Sequence, residues 1–444
     1  MTEQTNPSPS GSGAEDKFNR IIAVAIALVT LLTAVLAYVQ SDASSRDDQA
    51  NRDSKRYSIE AFGRQVSGDA RVNFDDNVAY QTYYELSLLA NSAYNRGDEA
   101  ASDRFLLLMD ETTQLSPLLA PPYYDSAGEA EPDLWRYEAD IYVGEMASLR
   151  EKFMAASAVK DTWDSKANTY IIHITLLAVS LFLFGLSTTI SRPGTRWIFA
   201  GAGAIVTLVA IVWAATVYVK PVFDLRQQGN AIDDYAQGVG LAYQERYDEA
   251  VTSFDKAIQA YPAYANAYAE RAAAYMGLGD YQHAAADYES AWNNGNKTSS
   301  IAGELAWAYF LLSDFDRSID MNRTALQSSP DELWIQFDLA LSLLASGQID
   351  SAQAEYKKGM DMAAAQVAEA KAAGSEPPSY LWWGMLDAAQ SLELLLGSLD
   401  TGDFQVLNPQ AVAPAGEQLI VDLKNLAVAL EYSGKPPQGQ VSAQ

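Results

Sequence analysis

YDEAVTSFDKAIQAYP, Tyr247–Pro262, is the stretch on which the fold turns. Its design returns as YQHAAADYESAWNNGN from Tyr281, FDRSIDMNRTALQSSP from Phe315 and IDSAQAEYKKGMDMAA from Ile349, each 34 residues after the last. An aromatic or aliphatic opener recurs at Tyr247, Tyr281, Phe315 and Ile349, and a small residue at Ala250, Ala284, Ser318 and Ala352. A ring follows at Phe254, Tyr288 and Tyr356, where Asn322 is the departure; a second small residue stands at Ala257, Ala291, Ala325 and Gly359. Pro262 and Pro330 close two of the units, and Asn296 and Ala364 replace proline in the others. Small residues let two antiparallel helices approach, and rings fill the gaps between successive hairpins. Such a unit buries its apolar face only against its neighbours, so the pattern predicts an array.

Four units in phase over residues 231–366 resemble the tetratricopeptide repeat (TPR) family. The preceding half-units hold the small position at Gly238, Ala272, Ala306 and Ala340, and the large one after it at Tyr275 and Tyr309. The family's early tryptophan is replaced by Asp234, Tyr268 and Ala302 in the first three units. The resemblance implies a right-handed superhelix whose first helices line a concave binding groove. Carried onto this chain, the groove residues are Tyr235, Val239 and Tyr243, then Glu270 and Ala273, then Glu304, Trp307 and Leu311, then Trp334, Phe337, Asp338 and Leu341. Members that clamp a C-terminal carboxylate line the groove with Lys and Asn; here Tyr235 and Val239 stand in those places, against that specificity. An aromatic groove carrying acids suits an amphipathic, somewhat basic peptide or helix. The competing reading is that these rings pack within the array, or that the chain's own C-terminal helix fills the groove.

Downstream, residues 379–432 contain two apolar helical patterns, Ser379–Leu399 and Gly416–Tyr432, after the break GSEPPS. They read as capping helices that shield the end of the array, or as a degenerate fifth repeat.

Upstream lie three runs without charge: residues 21–39, 171–190 and 197–219. Each is long enough to cross about 30 Å of hydrocarbon at 1.5 Å per residue, which predicts three transmembrane helices. The first also offers a small-x-small pattern at Ser41 and Ala43, but its length and the weakly charged tail before it favour an uncleaved anchor over a signal peptide. Residues 1–16 read as a disordered tail. Residues 40–170 read as a helical domain, with Ile59, Phe62 and Val66, Tyr80, Tyr84 and Leu88, and Phe105, Leu108 and Met109 at helical spacing. The expected fold is therefore all-α: three transmembrane helices, a helical bundle between the first two, and a C-terminal TPR superhelix.

The loop SRPGTR, residues 191–196, joins the second and third runs so tightly that 40–170 and the repeats fall on one side of the membrane. Its Arg192 and Arg196 place the loop in the cytoplasm by the positive-inside rule, and both acidic regions outside; Lys17 and Arg20 agree. Lys220 and Arg226 after the third run, and Arg46, Arg52 and Lys55 after the first, oppose that placement, and the alternative puts both regions in the cytoplasm.

The chain has net charge −27, no cysteine and two histidines. An acid excess of that size argues against a nucleic-acid partner, because phosphate backbones require a basic surface. No phosphate loop, nucleophile elbow or zinc spacing is visible, so neither a cofactor, a metal nor an enzymatic reaction is expected. His173 reads as an interfacial polar residue at the edge of the second run rather than a proton relay, and His283 as an exposed helix residue. Asp125, Glu129, Glu131 and Asp133 form an acidic loop without the ladder of a calcium-binding loop. These features predict a non-enzymatic, membrane-anchored scaffold for a protein or peptide partner. The other reading is a sensor whose 40–170 bundle binds a ligand and signals through the repeats. Oligomeric state is not legible.

Overall fold

The computed structural model describes residues 12–125 and 131–430. No proline interrupts helix α1, which runs 63 residues from Ser12 to Phe74. The expected tail thus ends by Ser12; residues 1–11 lie outside the described residues. A π-helical turn, Asp75–Tyr80, leads from α1 into α2 (Gln81–Asn95). Gly97, at φ +78°, stops that helix, and Asp98 caps α3 (Glu99–Thr113) by accepting the Ala101 N–H. Helix α4 (Leu134–Glu138) passes through a second π turn, Ala139–Val143, into α5 (Gly144–Thr189). Helix α6 (Pro193–Val219) opens with Pro193 inside the SRPGTR stretch, in the first-turn position that proline favours.

The chain divides into two compact units: residues up to Ser67 with Ser148–Gly229, and Gly68–Ala147 with the residues from Asn230 onward. The expected 40–170 domain is therefore split between them. Its outer parts continue the apolar helices, and its middle belongs with the repeats.

In the first unit, α5 buries Lys166, Tyr170, His173, Leu177, Ser180, Phe184 and Ser187, alternating four and three residues apart. That is the seam of a coiled coil, with Val29, Ala43 and Ala50 of α1 and Ala200, Gly203, Ala210 and Ala214 of α6 buried in the same unit. Ser180 donates to the Gly203 carbonyl at 2.7 Å, and a methyl group at Gly203 would sit 3.2 Å from the Ser180 carbonyl oxygen. Outward faces are apolar instead: Ile21, Val24, Leu28, Phe182, Ile205 and Leu208 are exposed. His173, expected at the interface, is buried with its ring edge on Trp213, centroids 4.6 Å apart. The seam position decides its orientation, since the neighbours at 170 and 177 face inward too. Beyond the apolar runs α1 and α5 stay paired through Ser54 and Ser157, 2.8 Å apart. Ile59 and Phe62, expected in a bundle core, are 71% and 70% exposed, and Val66 is exposed as well. Their periodicity marks a helix face that nothing described covers.

In the second unit, Tyr137 is fully buried and donates to the Asp75 carboxylate, with Val72 and Leu118 packed around it. Tyr84, Leu88 and Leu108 of the α2–α3 hairpin are exposed. The segment forms a hairpin between two helix ends rather than a closed four-helix bundle.

The repeats then follow as α7 (Ala231–Tyr243) with α8 (Tyr247–Ala260), α9 (Ala265–Gly277) with α10 (Tyr281–Asn293), α11 (Ser299–Leu311) with α12 (Phe315–Ser328), and α13 (Leu333–Ala345) with α14 (Ile349–Ala372). First helices start 34 residues apart, and so do second helices: this is the TPR-like hairpin array that the sequence resembles. The turn inside each hairpin has its left-handed residue in the same register, at Glu245, Gly279, Ser313 and Gly347. Gly238 is small because the Phe254 ring lies against it, 2.5 Å from where a Cβ would be.

After α14, α15 (Ser379–Thr401) lies beside α13, and α16 (Pro409–Ala429) beside α14. Within the array each second helix packs on the first helix of the next unit, whereas α14 packs more on α16 than on α15. The connecting loop is held by the Leu407 N–H on the Ala345 carbonyl at 2.9 Å and by Phe404 against Phe310.

Candidate functional site

Most of the expected groove residues are used up in packing. Tyr235 is buried, 5.3 Å from the Tyr264 ring and 5.9 Å from Phe254. Val239 is half-buried. Tyr243 faces the α4 segment, where its hydroxyl donates to Glu138 and its ring lies 5.2 Å from Trp135. Phe337 and Leu341 are core residues. Trp307 is stacked flat on Phe310 at 5.1 Å, and Phe310 in turn meets Phe404. Leu311 packs on the same core. Tyr235 and Phe337 are taken up by rings of the repeats themselves, Phe337 stacking on Tyr356 at 5.8 Å. For Tyr243 and for the Trp307–Phe310 pair, α4 and the loop after α15 bring in partners that spacing within the repeats does not reveal.

Ala273 is exposed, and Glu270, Glu304, Trp334 and Asp338 are half-buried. Trp334 lies over Gly303, where an added Cβ would come within 2.2 Å of the ring. With Tyr380 and Gly384 of α15 it walls a cleft of about 630 Å³ that Leu333, Asp331 and Glu332 also line.

The acids are in register. Glu270, Glu304 and Asp338 occupy one position of three successive first helices, 34 residues apart. Asp338 lies one turn beyond Trp334 on the same face of α13, and Asp387 one turn beyond Gly384 on α15. Since Gly384 contacts Leu333 at the start of α13, these turns run side by side. Burial raises the Glu304 carboxyl above its ordinary range. Burial, then Asp387, then Glu304 hold Asp338 well above it. Asp387 is raised by the protein around it although its side chain is exposed, the condition of a carboxyl inside a concavity. Beneath them, Tyr288 is pushed up by burial, Glu304 and Glu270, and Tyr356 by burial and Asp338. Among the described residues no Lys or Arg pairs with Glu304, Asp338 or Asp387. By contrast Arg271 lies between Asp255 and Asp287, 2.6 Å from the latter, as a closed ion-pair network.

No group of three or more His, Cys, Asp or Glu among the described residues is arranged to hold a metal ion. Of the acidic loop, Glu129 lies outside the described residues; Asp133 caps α4 by accepting the Arg136 N–H at 2.9 Å. His283 is exposed, bonded to Asp280 at 2.6 Å. Arg192 precedes α6 as its exposed N-cap residue. Arg196 is buried: it pairs with Glu15 at 3.3 Å and Asn19 at 2.7 Å and covers the Phe18 ring. Within the first unit, the start of α1 and the turn between α5 and α6 thus meet. Sequence reasoning missed Tyr380 and Asp387, which lie outside the repeat register. The acidic column at 270, 304 and 338 was visible in the repeat alignment as a 34-residue step.

No protein-family model matches the sequence, and no curated protein matches it. Solved structures similar to the chain include YrrB, described as a TPR protein with an unusual peptide-binding site, at 14% identity and TM-score 0.32, covering 46% of this chain and 93% of that one. MamA 41-end from Desulfovibrio magneticus RS-1 follows at 18% identity and TM-score 0.30, covering 42% and 96%. The APC/C hetero-tetramer Cut9–Hcn1 is similar at 12% identity and TM-score 0.30, covering 91% and 97%.

Proposed function

We propose that the chain is a membrane-anchored, non-enzymatic scaffold that holds a protein or peptide partner on the inner helices of its repeat array. The observation that carries this reading is the cleft between α13 and α15, walled by Trp334 and Tyr380. Aromatic anchors in a concave site are the usual energetic centre of a protein interface. Anchoring rests on three helices long and apolar enough to cross a membrane, with apolar residues outward and small or hydroxyl side chains inward. Arg192 and Arg196 favour a cytoplasmic turn, with the repeats outside the cytoplasm.

Crosslinking from the repeats in intact membranes tests the scaffold. Trp334→Ala with Tyr380→Ala abolishes partner crosslinks while helical content stays the same; unchanged crosslinks refute the site. Trp307 is unsuitable for this test because its loss damages the core. External protease on intact cells tests the topology: digestion of the repeats without permeabilisation supports the outside placement, and survival refutes it.

The sensor reading draws on one contact, the Tyr243–Glu138 bond that joins the first repeat helix to the segment before α5. A small ligand that raises the melting temperature of wild type but not of Tyr243→Phe supports coupling between them.

A further inference from the structure

We propose that Glu304, Asp338 and Asp387 form a receiving site for one cationic side chain, lysine or arginine, of the partner segment, with the Trp334–Tyr380 cleft taking an apolar residue one turn away. This rests on the scaffold reading and names the chemistry of the partner it would hold. Glu304 and Asp338 hold one register position on the neighbouring helices α11 and α13, and Asp387 stands on α15 where that helix passes the start of α13. Among the described residues no Lys or Arg pairs with them. Arg271 shows what the same fold does when acids serve structure: it encloses a guanidinium between two of them.

A second observation points to a missing group. The Tyr356 hydroxyl is 0% exposed, has no hydrogen-bond partner, and lies within electrostatic reach of Asp338 from below. A buried hydroxyl without a partner is costly, and its oxygen is open to an N–H donor that reaches Asp338. A cation arriving at Asp338 offsets the repulsion that Asp387 and Glu304 exert on it. It also brings its methylene stem across Gly384, the open side of α15 beside the cleft.

A metal ion is the less suitable occupant, because the carboxyls are spread over three helices and not gathered as ligands. Lys and Arg tolerate that spacing, since their donors fan out and their stems bury against apolar surface. The partner is thus an amphipathic segment with a basic residue about one helical turn from a large apolar one.

The probe is a synthetic amphipathic peptide carrying Leu and Lys at i, i+4 spacing, with a twin in which every Lys is Gln. Binding to the full chain in detergent micelles is read by fluorescence anisotropy. The Lys peptide binds more tightly than its twin, and Asp338→Asn with Asp387→Asn weakens it at least about tenfold, as expected for loss of a desolvated charge pair. Asp316→Asn with Asp361→Asn, two exposed acids away from the groove, leaves it unchanged. Equal weakening by both pairs overturns the proposal, because it reports only the net charge of the chain. No weakening by either pair overturns it as well. Melting of the Asn variants at or above the wild-type temperature separates lost binding from lost folding. If partner crosslinks depend on Trp334 while peptide binding ignores Asp338, the cation site falls and the scaffold stands. If crosslinks ignore Trp334, the scaffold reading itself falls.

Discussion

Tyr243, on the last turn of the first repeat helix, donates its hydroxyl to the carboxylate of Glu138, 105 positions earlier in the chain. The bond ties the array to the segment that leads into α5. With the approach of Gly144 to the Ala236 carbonyl, it is one of the contacts by which residues 68–147 group with the repeats. Burial, and then Glu138, hold the phenol above its ordinary range, so it stays a donor at every physiological pH. Tyr243→Phe keeps the ring on Trp135 and removes only the bond. The expected loss is about 1.5–3 kcal/mol, the scale for a hydrogen bond to a charged group. Faster amide exchange confined to 134–147 checks it; unchanged exchange there refutes the tie.

Gly303 tests the cleft from behind. An alanine there meets the Trp334 ring at 2.2 Å, and the ring has to move. Gly303→Ala is expected to cost about 1–3 kcal/mol, the range for an overpacked contact. It also shifts tryptophan emission and weakens partner crosslinking. Wild-type crosslinking in Gly303→Ala with displaced emission separates Trp334 from the site.

The array was legible because its rules are local. Small residues at Gly238 and Ala250 and a ring at Phe254 specify contacts within one hairpin, and the same kinds of residue recur every 34 positions, Asn322 excepted. The apolar runs were legible for the same reason, since length and absence of charge need no partner. The groove was not. Trp307 and Trp334 look alike in sequence, yet Phe404 from the loop after α15 reaches the Phe310 ring under Trp307, and nothing in the repeat announces it. Ile59 and Phe62 have perfect helical spacing, but spacing shows that a stripe exists and not what covers it. Asp387 stood outside the period altogether.

The hairpin turns offer a paired test. Glu245 and Gly279 hold the same left-handed position, at φ +57° and +73°, one with a side chain and one without. A residue with a Cβ is strained there by roughly 1 kcal/mol. Glu245→Gly is therefore expected to raise stability by about 0.5–1 kcal/mol, and Gly279→Ala to lower it by a similar amount. Chemical denaturation reads both; changes of the same sign contradict the strain argument.

Asp338 supplies the pH test. Its carboxyl is held well above 3.8 by burial, then by Asp387 and Glu304. The groups that act on it or are acted on by it are two carboxyls, Glu304 on α11 and Asp387 on α15, and the neutral phenol of Tyr356 on α14. A carboxyl whose folded value exceeds its unfolded one binds its proton more firmly in the fold. Its stabilising contribution is full below pH 3.8 and is lost as pH rises through the folded value. Above that window the wild type carries a charge that the site disfavours, and Asn in its place does not. Asp338→Asn is expected to raise the melting temperature at pH 8 by a few degrees, at about 2–4 °C per kcal/mol. The advantage shrinks as pH falls, and it disappears below 3.8, where the native carboxyl is neutral too. Asp361→Asn, on the exposed side of α14, shows no such trend. Calorimetry of both variants from about pH 3.5 to about pH 8 decides it. An Asp338→Asn advantage that stays constant with pH contradicts the buried charge and removes the electrostatic basis of the groove site.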